Sequence, residues 1–391
     1  MFLANGDFDD KLKKTETIEG FTNSIDLFGV GETPNVSDEE IINFQDILVK
    51  EEKNLDKIKS LEIGSLFHKK IRDIIRPILK PGLKLSELAE SIEGTCMSLT
   101  KGLGINKGIG FPSSLSVNEC AAHFTPSKAH DITLDENSIT KIDFGVEING
   151  WITDCAFTIA FNDQYINLLN AVKEATYHGI KTVAMDQDIG DWGEGIREVM
   201  ESYEVTVNNK TYPVKSIKNL GGHSILQGQI HGGTFLPSFN ISKNMFSYKR
   251  KFTENVYAVE TFGSLGRENV IEVFNENSIY MKNYRSGESD SSIRSKLPEK
   301  YIKIFDILDS TFKTMPFCDR YLETMNVFSN LKLDDSKQLK KFKTSTMNVF
   351  SNSGIYTPYP PLYSDAMTAQ YEHTIYLSEN KKIIFSQSTD Y

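Results

Sequence analysis

The chain is 391 residues long, with 43 basic against 53 acidic side chains, a net charge of −10 and 39% hydrophobic residues. That length and apolar content suit one large α/β domain or two ordinary ones and exclude wholesale disorder. The negative balance argues against DNA, or any other partner held through its phosphates.

The N-terminus lacks a basic stretch followed by an apolar run, so no secretory signal is expected, and no apolar segment approaches the length of a membrane span. Cys96, Cys120, Cys155 and Cys318 lie far apart, which fits reduced thiols in a cytoplasmic protein. Residues 1–36 are acidic and aperiodic and read as a tail or arm, leaving 37–391 for the folded domain. Ser37-Asp38-Glu39-Glu40 predicts a helix start, with helical patterning to about Leu55. Further helices are predicted from Gly64 to Leu79, where Pro81-Gly82 intervenes, and from Ser86 to about Leu99. From Ile139 the period changes to two, and Ile139–Ile148 and Trp151–Phe161 read as strands around Asn149-Gly150, a strong hairpin signal. Helices follow at about Gln164–Val183 and Trp192–Ser202, with strands at Lys210–Ile217 and Glu254–Ser264. The region from about 280 to 358 is rich in Lys, Ser, Asp and Asn at helical apolar spacing and reads as an inserted helical subdomain. Within it Thr324-Met-Asn-Val-Phe-Ser-Asn330 recurs at Thr346–Asn352, a local duplication to which no function is assigned.

A two-residue Asn149-Gly150 turn sets Asp154 opposite Gly145 and Asp143 opposite Ala156. The two aspartates then share a sheet face as diagonal neighbours, roughly 7–8 Å apart. Their flanks are apolar, and burying unpaired carboxylates is costly, so a divalent cation between them would relieve the repulsion. His223 and His231 follow on glycine-rich segments, and Glu260 and Glu372 sit within strand-like runs. Each alone has a plain reading, a turn histidine or an acid on the wet face of a strand. Together Asp143, Asp154, His223, Glu260 and Glu372 supply what a carboxylate-rich site for two divalent ions requires, suited to Co, Mn, Fe or Zn. His68 and His178 fall on helical patterns as packing or surface residues, His130 lies in a loop, and His373 and Cys155 should face away from their acidic neighbours.

The segments Gly110-Phe-Pro-Ser, Asn118-Glu-Cys-Ala-Ala-His123-Phe-Thr-Pro126, Lys141-Ile-Asp143-Phe-Gly145, Thr153-Asp154-Cys-Ala-Phe-Thr158, Gly222-His223-Ser-Ile225, Ile230-His231, Val259-Glu260-Thr-Phe-Gly-Ser264, Pro358-Tyr-Pro-Pro361 and Ala369-Gln-Tyr-Glu372-His-Thr374 resemble the type 2 methionine aminopeptidases. The resemblance runs from about residue 38 to Asp390-Tyr391. It implies an α+β pita-bread fold, two pseudo-symmetric halves around a curved antiparallel sheet, interrupted by a helical insertion. It also implies removal of the initiator methionine from nascent proteins with a small second residue. Asp143 would then chelate one metal, His223 and Glu260 the other, and Asp154 and Glu372 would bridge both. Glu260 would accept the proton of the attacking water, and His123 and His231 would hold the scissile carbonyl. Phe111, Ile230 and Tyr359 would form the methionine pocket. The resemblance further implies a monomer with no membrane association, and alkylation of His123 by fumagillin-type inhibitors. Docking to the ribosome would use a surface other than a polybasic extension, which this sequence lacks. Two departures bear on the pocket: Ile279 stands where the family has histidine, and Gly221 where asparagine is common. A non-catalytic pita-bread relative that binds proteins or RNA, and a proline-directed peptidase of the same fold, are the competing readings.

Overall fold

The computed structural model describes residues 36–51, 55–102, 107–127, 130–241, 250–274, 279–283, 290–324 and 336–391. The arm expected over 1–36 therefore lies almost wholly outside the described residues. Helix α1 (Asp38–Glu51) opens on a capping box. The Ser37 hydroxyl accepts from the Glu40 amide at 3.3 Å, and the Glu40 carboxylate accepts from the Ser37 amide at 3.1 Å. Helix α2 (Lys57–Ile75) begins ahead of Gly64 because Asp56 caps it, accepting from the Lys59 amide. It ends early too, giving way to one 3-10 turn at Arg76–Ile78 around Pro77. Helix α3 (Leu85–Thr100) completes the first helical group.

Strands β1 (Lys107–Val117), β2 (Cys120–Ala122), β3 (Ile139–Ile148) and β4 (Trp151–Ala160) follow. Asn149 and Gly150 have φ of 53° and 80°, the left-handed pair of a type I′ turn. The ladder opposes Asp154 to Gly145 and Asp143 to Ala156, as the turn spacing requires. Strands β1, β3 and β4 form an antiparallel sheet in the order β1-β3-β4.

Next come α4 (Ile166–Thr182) and α5 (Ile189–Glu201), the latter starting ahead of Trp192 because Asp188 accepts from the Gly190 and Asp191 amides. The single strand expected over Lys210–Ile217 is divided. β5 (Glu204–Val207) and β6 (Lys210–Pro213) form a hairpin on Asn208-Asn209, both at positive φ, and β7 (Lys215–Ser216) is separate. After β8 (Gly221–Ile225), β9 (Phe235–Pro237) and β10 (Asn255–Ser264) come the short β11 (Ile271–Glu272) and β12 (Ile279–Lys282). Then follow α6 (Asp290–Lys296), α7 (Glu299–Phe312), β13 (Phe317–Cys318), α8 (Asp319–Thr324) and α9 (Ser336–Asn352). The chain continues through β14 (Tyr356–Tyr359), β15 (Leu362–Tyr363), β16 (Thr368–Leu377) and β17 (Lys382–Ile384).

The second large sheet runs β17-β16-β10-β8-β9, with β7 also on β10. Helices α2 and α3 back the first sheet and α4 and α5 the second, so the molecule is two α/β halves in the pita-bread arrangement. The halves meet where β4 lies beside β16, and threonine hydroxyls stitch them together. Thr374 Oγ1 donates to the Asp154 carbonyl at 2.6 Å and accepts from its amide at 2.8 Å. Thr158 treats Gln370 the same way, at 2.6 and 2.8 Å. A side-chain seam leaves room that a backbone ladder would close, and the acidic residues occupy it.

Most buried apolar side chains form one core beneath both sheets. A second core, including Phe305, Leu308, Phe317, Phe350 and Tyr356, lies among α6 to α9 and the sheet β13-β12-β14. The region around 280–358 thus contains strands that helical spacing did not announce. The second copy of the repeat ends α9 and buries Met347 and Phe350. Beyond Thr324 the first copy lies outside the described residues. No described helix is long and apolar enough to cross a membrane. All four cysteines are free and buried.

Candidate metal centre and substrate pocket

Five strands of the two halves converge on a pocket of about 220 Å³, whose lining includes Asp143, Asp154, His223, Glu260 and Glu372. The register explains the convergence. Glu260 and Glu372 are direct partners on β10 and β16, and His223 pairs with Ala258, two residues before Glu260 and therefore on the same face. Asp143 and Asp154 reach the same floor from β3 and β4.

One ligand atom each from Asp154, His223 and Glu372 lies within 4.8 Å of the others. His223 Nε2 is 3.6 Å from Asp154 Oδ2 and 3.8 Å from Glu260 Oε1. The Gln370 side-chain amide closes the ring, donating to Asp143 at 3.2 Å and to Glu260 at 3.1 Å. Gln370 was missed in the sequence, although its spacing of two from Glu372 places it on the same face of β16.

Electrostatics make this arrangement costly as it stands. Burial pushes the Asp143 carboxyl up to about 7. Burial, then the neighbouring carboxylates, raise Asp154, Glu260 and Glu372 well above the usual carboxylate range. Asp143 Oδ1, Asp154 Oδ1 and both Glu372 oxygens are buried without a hydrogen-bond partner. Burial lowers His223 to about 3, so its imidazole is neutral at working pH. With its Nδ1 at 3.3 Å from the Ser224 carbonyl as donor, the Nε2 lone pair faces carboxylates. Lone pairs meeting across a buried gap are what cations resolve, and the donor set of carboxylates and one imidazole suits divalent ions.

Above the floor, His123 follows β2 in a left-handed conformation, φ 69°, with its amide donating to Ser114 Oγ at 3.0 Å. Burial lowers its imidazole to about 4. His231 comes from the loop between β8 and β9 and packs edge-on to His223 with centroids 4.6 Å apart. Tyr359 on β14 stands 5.6 Å from both His123 and His231, its hydroxyl 3.5 Å from His231 Nδ1. Phe111 and Ile230 line the same cavity and pack with Ile152, Met281 and Met315 into an apolar cluster. Every residue nominated from the sequence therefore lines one pocket. Ile279 is part of the lining as well, directly opposite Tyr359 across β12 and β14. Gly221 also lines it, and a Cβ there would fall 2.4 Å from the Leu236 carbonyl oxygen, so β9 leaves no room for a side chain. Of the remaining histidines, His68 is fully buried and stacks on Phe144 at 3.9 Å, while His373 turns from the floor to Ser386 at 2.9 Å.

The model of metallopeptidase family M24 matches residues 59–282. Methionine aminopeptidase 2 of Komagataella phaffii is 39% identical over 369 residues, covering 92% of this chain and 77% of that protein. The chain belongs to the type 2 methionine aminopeptidases of family M24. Its activity is metal-dependent removal of N-terminal methionine. Two solved structures share the fold. A thermophilic Arx1 has a TM-score of 0.64 at 15% identity, over 85% of this chain and 91% of that one. Methionine aminopeptidase from Thermotoga maritima has a TM-score of 0.53 at 16% identity, over 86% and 99%.

Proposed function

We propose that Asp143, Asp154, His223, Glu260 and Glu372 hold two divalent cations, drawn from Co, Mn, Fe or Zn. The observation that carries this is the set of buried carboxylate oxygens without partners at the bottom of the pocket. Bound cations supply Lewis acidity toward the first peptide carbonyl and acidify the attacking water. Glu260 takes the proton released as water attacks, and the Gln370 amide keeps that carboxylate aimed at the floor. His123 and His231, neutral rings above the floor, hold the scissile carbonyl and the charge that develops on its oxygen. Phe111, Ile230 and Tyr359 take the methionine side chain, an apolar set matched to a flexible thioether. The second residue is small.

In this reading the substrate is the nascent chain, met in the cytoplasm at the ribosome, and the enzyme is a monomer. Residues 37–391 act as one catalytic domain with a helical insertion near 280–358, preceded by an arm over 1–36. Fumagillin-type epoxides alkylate His123, whose ring faces the pocket.

Glu372→Gln keeps the shape of the side chain and removes its charge. It is expected to lower metal-dependent release of methionine from Met-Ala-Ser by more than the about 100-fold that losing a mere supporting group costs. Undiminished turnover by a pure preparation would refute the assignment.

A further inference from the structure

The methionine pocket is a gap between two walls. One wall comes from the first half, with Phe111 on β1 and His123 just after β2. The other is the small sheet β13-β12-β14, which brings Ile279, Pro316 and Tyr359. The second wall rests on its own core, and the two walls touch through an apolar cluster, Phe111 and Ile152 against Met281 and Met315, whose contacts carry no fixed direction.

A largely buried ion pair adds a directional tie between them. Arg320, at the start of α8 directly after β13, reaches out of the second wall to Glu93 on α3. Its two terminal nitrogens engage the two Glu93 oxygens, Nη2 donating to Oε1 at 2.9 Å and Nη1 donating to Oε2. The same guanidinium donates to the Pro126 carbonyl at 3.2 Å and to the Thr125 hydroxyl at 3.1 Å, on the segment that leaves His123. Glu93 in turn accepts from the Ser113 amide at 3.1 Å, two residues beyond Phe111. Ser114, next in line, accepts from the His123 amide and so holds its left-handed backbone. The side chains are 6% exposed for Glu93 and 16% for Arg320, so solvent screens the pair little.

We infer that the Glu93–Arg320 pair is a positioning clamp that sets the width of the methionine pocket and the place of His123, and thereby the enzyme's selectivity for methionine. The inference rests on the reading that Phe111, Ile230 and Tyr359 receive the side chain and His123 the carbonyl. A guanidinium fork fixes distance and angle together, whereas an ammonium keeps the charge and loses the fork. Selectivity for an unbranched thioether over a shorter branched chain needs tight walls, because one methylene is worth only about 10- to 200-fold even in a well-fitted pocket.

The test compares Arg320→Lys with wild type on Met-Ala-Ser, norleucyl-Ala-Ser and Leu-Ala-Ser, all metal-loaded. The expected result is KM for Met-Ala-Ser raised about 10-fold, with the preference for methionine over leucine compressed about as much. Thr125→Val, which removes one acceptor and leaves the ion pair, should move both quantities in the same direction by less, and stands in if Arg320→Lys does not fold. A purely structural pair would lower the melting temperature and kcat on all three peptides alike. An unchanged methionine-to-leucine ratio in both variants overturns the clamp. Wild type inert on every methionyl peptide would instead overturn the peptidase reading beneath it.

Discussion

At the floor of the pocket the decisive quantity is where protons sit. Burial lifts Asp143 to about 7 and its three acidic neighbours well above their ordinary range, so the metal-free chain keeps protons there at neutral pH. The raised folded values mean that stability from these protons is fully present below the ordinary carboxylate range. It is lost as pH rises through about 7. Cations must displace those protons, so affinity should rise with pH across the same window. Calorimetric titration of the metal-free protein with Mn(II) near neutral pH, in buffers of different ionisation enthalpy, should show proton release that shrinks as pH increases. The melting temperature of the metal-free chain should fall as pH rises through about 7, while the Mn-saturated protein escapes that fall. Heats that do not depend on the buffer would contradict the assignment of protons. Much of this floor was legible in the sequence because the Asn149-Gly150 turn fixes register, and register fixes which aspartates share a face. Gln370 was not legible as a partner of Asp143, since 227 residues separate them and no local period connects such a pair.

Among the elements, β1 was one of those that sequence patterning hid. Gly108, Gly110 and Pro112 punctuate it like a loop, and its register against β3 shifts between Ile109 and Phe111 and again between Phe111 and Ser114. Those irregularities have a use: they turn Phe111 into the pocket and Ser114 toward the His123 amide. The opposing strand cooperates by having no side chain at Gly145, where a Cβ would lie 2.5 Å from Phe111 Cε1 and 2.9 Å from Ile152 Cγ2. Gly145→Ala should therefore push the Phe111 ring off its place. The expected cost is about 1–3 kcal/mol of stability, as for other overpacked interiors. KM for methionyl peptides should rise about 10-fold, measured by steady-state kinetics beside thermal melting. An unchanged KM would show that the ring is not a wall of the substrate pocket. The helices behind the sheets were easier to foresee, because apolar spacing and caps such as Ser37 act within a few residues.

Across the whole molecule, the segment Phe385–Tyr391 ties the two halves together behind the metal-bearing strands, and composition gave no hint of it. Arg72 on α2 and Arg76 in the 3-10 turn that follows it both engage Asp390, at 2.8 and 2.9 Å through its Oδ2, with the three side chains at most 1% exposed. Arg72 also donates to the Ser386 carbonyl at 3.0 Å, and Ser386 Oγ lies 2.9 Å from His373 Nδ1 on β16. The Tyr391 ring stacks on His373 at 4.8 Å and lies 4.7 Å from the Arg72 guanidinium. A helix of the first half and a strand of the second are thus held by one short stretch. Its one acidic side chain is the charged partner of two buried cations, which makes Asp390 the weak point of the arrangement. Asp390→Asn leaves both guanidinium groups in place without their countercharge and should destabilise the fold by about 3–5 kcal/mol in denaturant unfolding. Replacing all three side chains together, Arg72→Met, Arg76→Met and Asp390→Leu, removes the buried charge along with its partner and should cost less than the single substitution. If Asp390→Asn unfolds within about 1 kcal/mol of wild type, or the triple variant is the less stable of the two, the stability of the join comes from its aromatic packing rather than from the ion pair.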